Sequence, residues 1–243
     1  MSTISVQDIV GEIIAQRPML AHVFEAAGVD YCCGGKKTLE VACREKGLDP
    51  QAFADKLVRS EAASEGEPLA DAAAMSLTEL ADHIEHTHHA YLRSELPRLD
   101  ALTEKVASVH GGEDARLHDV RKTLLSLAAE MTSHMMKEEQ ILFPMIRRLE
   151  MSDALPKFHC GSIANPIRQM EMEHNDAGSA LERMRALTDE YTPPDWACNT
   201  YRVMLDALAR LELDMHQHVH KEDNVLFPSA FKLEAGLAER AKA

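Results

Sequence analysis

The chain has 243 residues, 45 % of them hydrophobic, enough for a sizeable core in one or two domains. Aromatic residues make up 5 %, and only 11 Gly and 10 Pro punctuate the chain, so an all-β fold is disfavoured and a helical one expected. A formal net charge of −14 argues against nucleic-acid binding, and the 13 His beside 40 Asp and Glu form the count that needs a cause.

No apolar run approaches the length of a membrane span, and no basic segment precedes the apolar residues of MSTISVQDIVGEII. Five scattered cysteines, Cys32, Cys33, Cys43, Cys160 and Cys198, do not form a secreted disulfide framework, so the cytoplasm is the expected compartment. Residues 1–60 read as a small domain of short helices. Val6, Ile9, Val10, Ile13 and Ile14 share one helical face, and Pro18 opens a second helix that stops at Gly28. The turn DYCCGG (Asp30 to Gly35) follows, then two further short helices. Residues 61–76 are small, acidic and weakly patterned, the composition of a linker.

Residues 77–235 read as four long helices, near 77–108, 114–150, 163–190 and 195–232. The expected architecture is therefore an all-α chain, an antiparallel four-helix bundle preceded by a small helical domain. The second and fourth helices carry matching strings, HMMKEEQILFP from His134 and HVHKEDNVLFP from His218. They are 84 residues apart and identical at six of eleven positions. The apolar seam of the second helix runs Leu117, Val120, Leu124, Leu127, Met131, His134, Glu138, Ile141, Met145. That of the fourth runs Tyr201, Met204, Leu208, Leu211, Met215, His218, Glu222, Val225, Ser229. Each places a His and a Glu one turn apart in an apolar stripe. The third helix substitutes His174 into the stripe Ile167, Met170, Ala177, Leu181, Met184.

In the first helix, HIEHTHH leaves two candidates. Counting forward from Leu77, Leu80 and Ile84 selects His88; counting back from Leu92, Leu96 and Leu99 selects His89. Symmetry between the halves favours His89. The other His (83, 86, 110, 118, 159, 216 and 220) are expected to be solvated. A lone His-x-x-x-Glu is ordinarily a surface pair, and a lone core His is ordinarily structural. Six such positions in register are a different matter. A carboxylate in a bundle core costs several kcal/mol unless it is paired or metal-bound. Four imidazoles and two carboxylates projecting inward match a dinuclear site. Ligation without thiolates suits iron or manganese, with zinc a further candidate.

Together, DYCCGG, HMMKEEQILFP and HVHKEDNVLFP resemble the repair-of-iron-centres family, which joins an ScdA-type N-terminal domain to a hemerythrin-like bundle. The resemblance covers nearly the whole chain. It implies two non-haem Fe ions with an oxo-type bridge, held by His89, His134, His174 and His218, with Glu138 and Glu222 bridging. His89 also lies eight residues before Pro97, where the family has its first ligand. Glu130 and Glu173 match further carboxylates that the family places near the metals. The resemblance further implies a functional thiol pair at Cys32 and Cys33, with Gly34 and Gly35 freeing the backbone around them. Cys43, Cys160 and Cys198 have no partner by spacing. The function implied is repair of iron–sulfur clusters after nitrosative or oxidative damage, by supplying iron to the damaged proteins. A module that binds NO or O2, and an enzyme that reduces NO, are the alternatives; a second copy of the chain is a further candidate partner.

Overall fold

The computed structural model describes residues 4–32, 34–63 and 72–241. Short helices come first: α1 (Val10–Gln16), a 3₁₀ turn (Pro18–Leu20), α2 (Ala21–Ala26), α3 (Leu39–Glu45) and α4 (Pro50–Ala63). Pro18 starts its turn where the missing N–H costs nothing. Gly28, at φ +64°, ends α2 in the left-handed conformation open to glycine. Thr38 caps α3 by accepting from the Val41 N–H. The long helices follow. α5 (Leu77–Ile84) passes through a π turn (Glu85–His89) into α6 (Ala90–His110). α7 (Arg116–Lys137) passes through a second π turn (Glu138–Leu142) into α8 (Phe143–Glu150). After α9 (Ala164–Leu187), α10 (Asn199–Lys221) passes through a third π turn (Glu222–Leu226) into α11 (Phe227–Arg240).

The chain forms two compact units. One comprises Met1–Ala81, Leu149–Pro156 and His216–Ala243, the other Asp82–Arg148 and Lys157–Met215. The second unit is the antiparallel four-helix bundle. Its seams are those of the sequence as far as the π turns. Leu117, Val120, Leu124, Leu127 and Met131 are buried, as are Ile167, Met170, Ala177, Leu181 and Met184, and Tyr201, Met204, Leu208, Leu211 and Met215.

From the second and third π turns onward the register shifts from the sequence expectation, although Met145 stays buried. Ile141 is 44 % exposed, whereas Leu142, Phe143, Ile146 and Leu149 are buried. Ser229 is likewise exposed, and Leu226, Phe227 and Ala230 are buried. A π turn takes in one more residue than an α turn, so the buried face advances by one. The same device explains the two counts in the first helix. His88 continues the upstream stripe, His89 continues the downstream one, and both are buried. Pro144 and Pro228, the last residues of the two LFP strings, each occupy the second position after a π turn. Their missing N–H falls where the hydrogen-bond ladder changes step and a bond is already lost.

The first unit has its own core, built from Val10, Ile13, Ile14, Leu20, Phe24, Leu39, Phe53 and Leu57. Phe24 meets Phe53 edge-on at 5.3 Å. In the same unit Asn224 fits against two glycines. A Cβ on Gly11 would lie 2.2 Å from the Asn224 Oδ1, and one on Gly35 would lie 2.6 Å from both that oxygen and the Tyr31 carbonyl.

Two outcomes follow for chemical denaturation. Ile141→Ser shifts stability by no more than about 0.5 kcal/mol, and Leu142→Ala costs about 2–5 kcal/mol; an uninterrupted α register would reverse that order. Gly11→Ala and Gly35→Ala each cost about 1–3 kcal/mol through overpacking. Adding Asn224→Ala restores most of the Gly11→Ala loss but not that of Gly35→Ala, because the Tyr31 carbonyl still stands in the way.

Candidate metal centre

The bundle unit brings four of the six candidate ligands together. His89, at the end of the first π turn, and Glu138, at the start of the second, are both fully buried, with Nε2 and Oε2 3.3 Å apart. His134, one turn before Glu138, places its Nε2 3.2 Å from the other carboxylate oxygen, Oε1. His174 of α9 faces His134, ring nitrogen to ring nitrogen, at 3.2 Å. His134, Glu138 and His174 each offer a ligand atom within 4.8 Å of the others. In the other unit, His218 and Glu222 repeat the helical pair. Both are fully buried, and Nε2 lies 3.2 Å from Oε1.

The far side of two rings decides which nitrogen faces inward. The Nδ1–H of His89 donates to Glu139 at 2.7 Å, and that of His134 donates to Glu173 at 2.9 Å. With the proton held on Nδ1, each Nε2 presents a lone pair. Both lone pairs meet oxygens of Glu138, which are acceptors too. Acceptor against acceptor at 3.2–3.3 Å is repulsive in a dry core. A cation between them turns each contact into a ligand bond. The donor set therefore fits a metal, and nitrogen with carboxylate oxygen suits iron, manganese or zinc.

Glu173 and Glu139 are charged supports for these rings. Burial opposes the Glu173 charge, but hydrogen bonds from Lys137, Gln169 and His134 outweigh it and hold the carboxyl at about 2. Burial likewise opposes the Glu139 charge, and bonds from Arg93 and His89 hold its carboxyl below the usual range. Because the Glu173 value is depressed on folding, its contribution is complete above the ordinary carboxylate range. It is lost as pH falls towards 2.

Glu130 is not at this cluster; it is exposed and accepts from Ser126. Its repeat counterpart, 84 residues on, is Asp214, which instead holds the Nδ1 of the buried His88 at 2.8 Å. Sequence reading missed Glu139 and Asp214. The acid pair KEE, repeated as KED, was the available signal for the first, and the 84-residue offset applied to Glu130 was the signal for the second.

In the first unit, Cys32 is buried. Its backbone N–H and its thiol both donate to Asp30 Oδ1, at 2.9 and 3.2 Å, and the Gly34 N–H donates to Asp30 Oδ2 at 2.8 Å. The Cys32 carbonyl accepts from the Asn224 amide at 3.2 Å. Cys33 lies outside the described residues. Gly34 and Gly35 are required for close approach, to Asp30 and Asn224, and neither has a positive φ. His220, expected to be solvated, is buried edge-on against Tyr31 at 5.5 Å. Burial pushes its imidazole down to about 4, against a hydrogen bond to the Tyr31 carbonyl.

Comparison with known proteins gives the family of the chain. The profile of the hemerythrin HHE cation binding domain matches residues 80–230, and that of ScdA_N, a domain of unknown function (DUF542), matches residues 6–61. The chain belongs to the repair-of-iron-centres family. It is 39 % identical over 221 residues to the iron-sulfur cluster repair protein YtfE of Enterobacter sp. (strain 638), covering 90 % of this chain and 94 % of that one. It is 36 % identical over 225 residues to the protein of that name from Musicola paradisiaca (strain Ech703), covering 93 % and 96 %. The Escherichia coli O157:H7 protein is 38 % identical over 220 residues, covering 90 % and 94 %.

Removing the outer carboxylates tests their supporting role. Glu139→Gln and Glu173→Gln are each expected to weaken metal binding about 10–100-fold in chelator competition. Glu130→Gln leaves it unchanged.

Proposed function

We propose that this chain is a di-iron protein that helps repair iron–sulfur clusters damaged by nitrosative or oxidative stress, by supplying iron. The observation that carries the reading is Glu138, wholly buried, with one oxygen towards His89 and the other towards His134. That is the posture of a carboxylate shared by two metal ions. We assign His89, His134, His174 and His218 as terminal ligands, and Glu138 and Glu222 as bridges, with an oxo-type bridge completing the pair of irons. The 84-residue repeat supports the assignment, since His218 and Glu222 keep the spacing and separation of His134 and Glu138. The printed names of the relatives support the repair role.

When bound, the iron supplies Lewis acidity, open coordination positions for small diatomics, and releasable metal. The protein's part is to hold the ligands and to keep His89 and His134 in one tautomer through Glu139 and Glu173. It also excludes water with the seam residues around Glu138. We assign to the Cys32–Cys33 loop the guidance of transfer, with proteins carrying damaged clusters as partners. The cytoplasm is the proposed setting. Among the described residues no helix is long and apolar enough to cross a membrane.

The test combines metal analysis with repair of a damaged cluster enzyme. Purified chain is expected to carry two irons, and Glu138→Ala to lose more than one of them because the bridge serves both. Iron-loaded chain is expected to restore enzyme activity faster than an equal amount of free ferrous iron. Equal rates would refute iron supply. A Cys32→Ser, Cys33→Ser double variant is expected to keep its iron and lose repair; full repair would remove the thiols from the mechanism.

A further inference from the structure

About 30 Å along the helix from His89, at the far end of α6, is a second chemical cluster. His110 ends α6, and Cys198 immediately precedes α10. Spacing in the sequence gives Cys198 no partner, and His110 was expected to be solvated. In the bundle the His110 Nε2 lies 3.3 Å from the Cys198 sulfur, and its Nδ1 lies 3.1 Å from Glu113 Oε2. With the Nδ1–H donated to Glu113, Nε2 is the acceptor for the thiol proton. The imidazole is held by aromatic rings, Trp196 at 5.6 Å and Tyr201 stacked at 5.9 Å. Cys198 sits directly before the first turn of α10, the end of the helix at which backbone N–H groups are unpaired. Nucleophile, base and orienting acid are therefore aligned, with the positive end of a helix beneath the sulfur.

A cleft of about 450 Å³ adjoins this group, with Glu113, Trp196 and Tyr201 in its wall. Its floor includes Asp189, first of three consecutive non-glycine residues in the left-handed region, at φ 49°, 57° and 60°. Backbone held in that way is concentrated at functional sites. The Arg116 guanidinium pins Asp189 at 3.0 Å and Asp114 at 2.8 Å. The charged side chains of the cleft are thus Glu113, Asp114 and Asp189 against Arg116, an excess of negative charge.

We propose that Cys198, His110 and Glu113 form a reactive thiol site that undergoes thiol–disulfide exchange with small disulfides of positive or zero net charge. His110 takes the Cys198 proton. The thiolate attacks one sulfur of the disulfide R–S–S–R, the S–S bond breaks, and the departing R–S⁻ takes the proton from His110. One thiol and one disulfide become one mixed disulfide and one thiol, with no other oxidant. Hydrogen bonds from the Tyr201 backbone and from His110 lower the Cys198 thiol below its usual range. Bonds to Glu113 and then to Cys198 raise the His110 imidazole, which is the direction this transfer needs. The site is independent of the metal centre.

The test incubates full-length chain with cystamine or with oxidised glutathione. Mixed disulfide at each cysteine is followed by peptide mass spectrometry across pH. Cys198 is expected to carry the first cystamine adduct, and cystamine to outpace oxidised glutathione. His110→Gln slows the reaction about tenfold near neutral pH and moves its midpoint to higher pH. Glu113→Gln, at an exposed side chain, moves rate and midpoint in the same direction by less, and circular dichroism checks that both variants keep their helices. A first adduct on another cysteine, or an unchanged rate and midpoint in both variants, would overturn the site. Oxidised glutathione reacting as fast as cystamine would overturn its charge selectivity.

Discussion

The bundle is organised around a repulsion. Glu138 is fully buried, and its two oxygens face imidazole nitrogens whose protons are held on the opposite side by Glu139 and Glu173. Apolar seams surround this arrangement, so water cannot relax it. Hydrophobic burial elsewhere in the four helices holds acceptor groups closer than they would settle in solvent. The sum of such contacts is favourable only when positive charge is available at the centre.

The π turns let helices serve both core and site. A plain α-helix returns one face every three or four residues, and that face is already committed to leucine and methionine. One extra residue per turn brings His89 into the interior beside His88, and lets the helix beyond Glu138 and Glu222 resume packing on a shifted face. Leu142 and Phe143 take over from the position at which Ile141 would have pointed inward. The repeat of this device, with the same LFP string after it, ties a sequence motif to a backbone feature rather than to a ligand.

Charge is distributed by role. The ligand-supporting acids, Glu139 and Glu173, are each balanced by a cation as well as by the ring they hold, Arg93 in one case and Lys137 in the other. They remain ionised despite partial burial and keep the two rings in one tautomer. Asp214 likewise faces the Nδ1 of His88, a histidine one residue away from the cluster. At the other end of the bundle, Glu113 holds His110 against Cys198 with the same carboxylate–imidazole contact and a different third member.

Much of this was legible in the sequence. The 84-residue repeat and the seam spacing named the helices and the candidate ligands, because burial of a stripe is periodic and a polar residue inside it stands out. Gly28 and Pro18 marked helix ends because their backbone preferences are local. What the tertiary structure decided was not periodic. The count from Leu80 and the count from Leu99 disagreed about His88 and His89, since each assumed an unbroken helix. The π turn reconciles them by burying both and giving each a different carboxylate. Gly34 and Gly35 looked like flexible neighbours of the thiols, yet their small size is needed for Asp30 and Asn224 to approach. Glu139, Asp214 and the Cys198–His110 contact join residues 50, 126 and 88 positions apart. Sequence by itself determines the periodic stripes and the residue types they carry; where a π turn shifts the buried face, and which partner meets each polar group, depends on register and on long-range packing, and only the folded chain settles it.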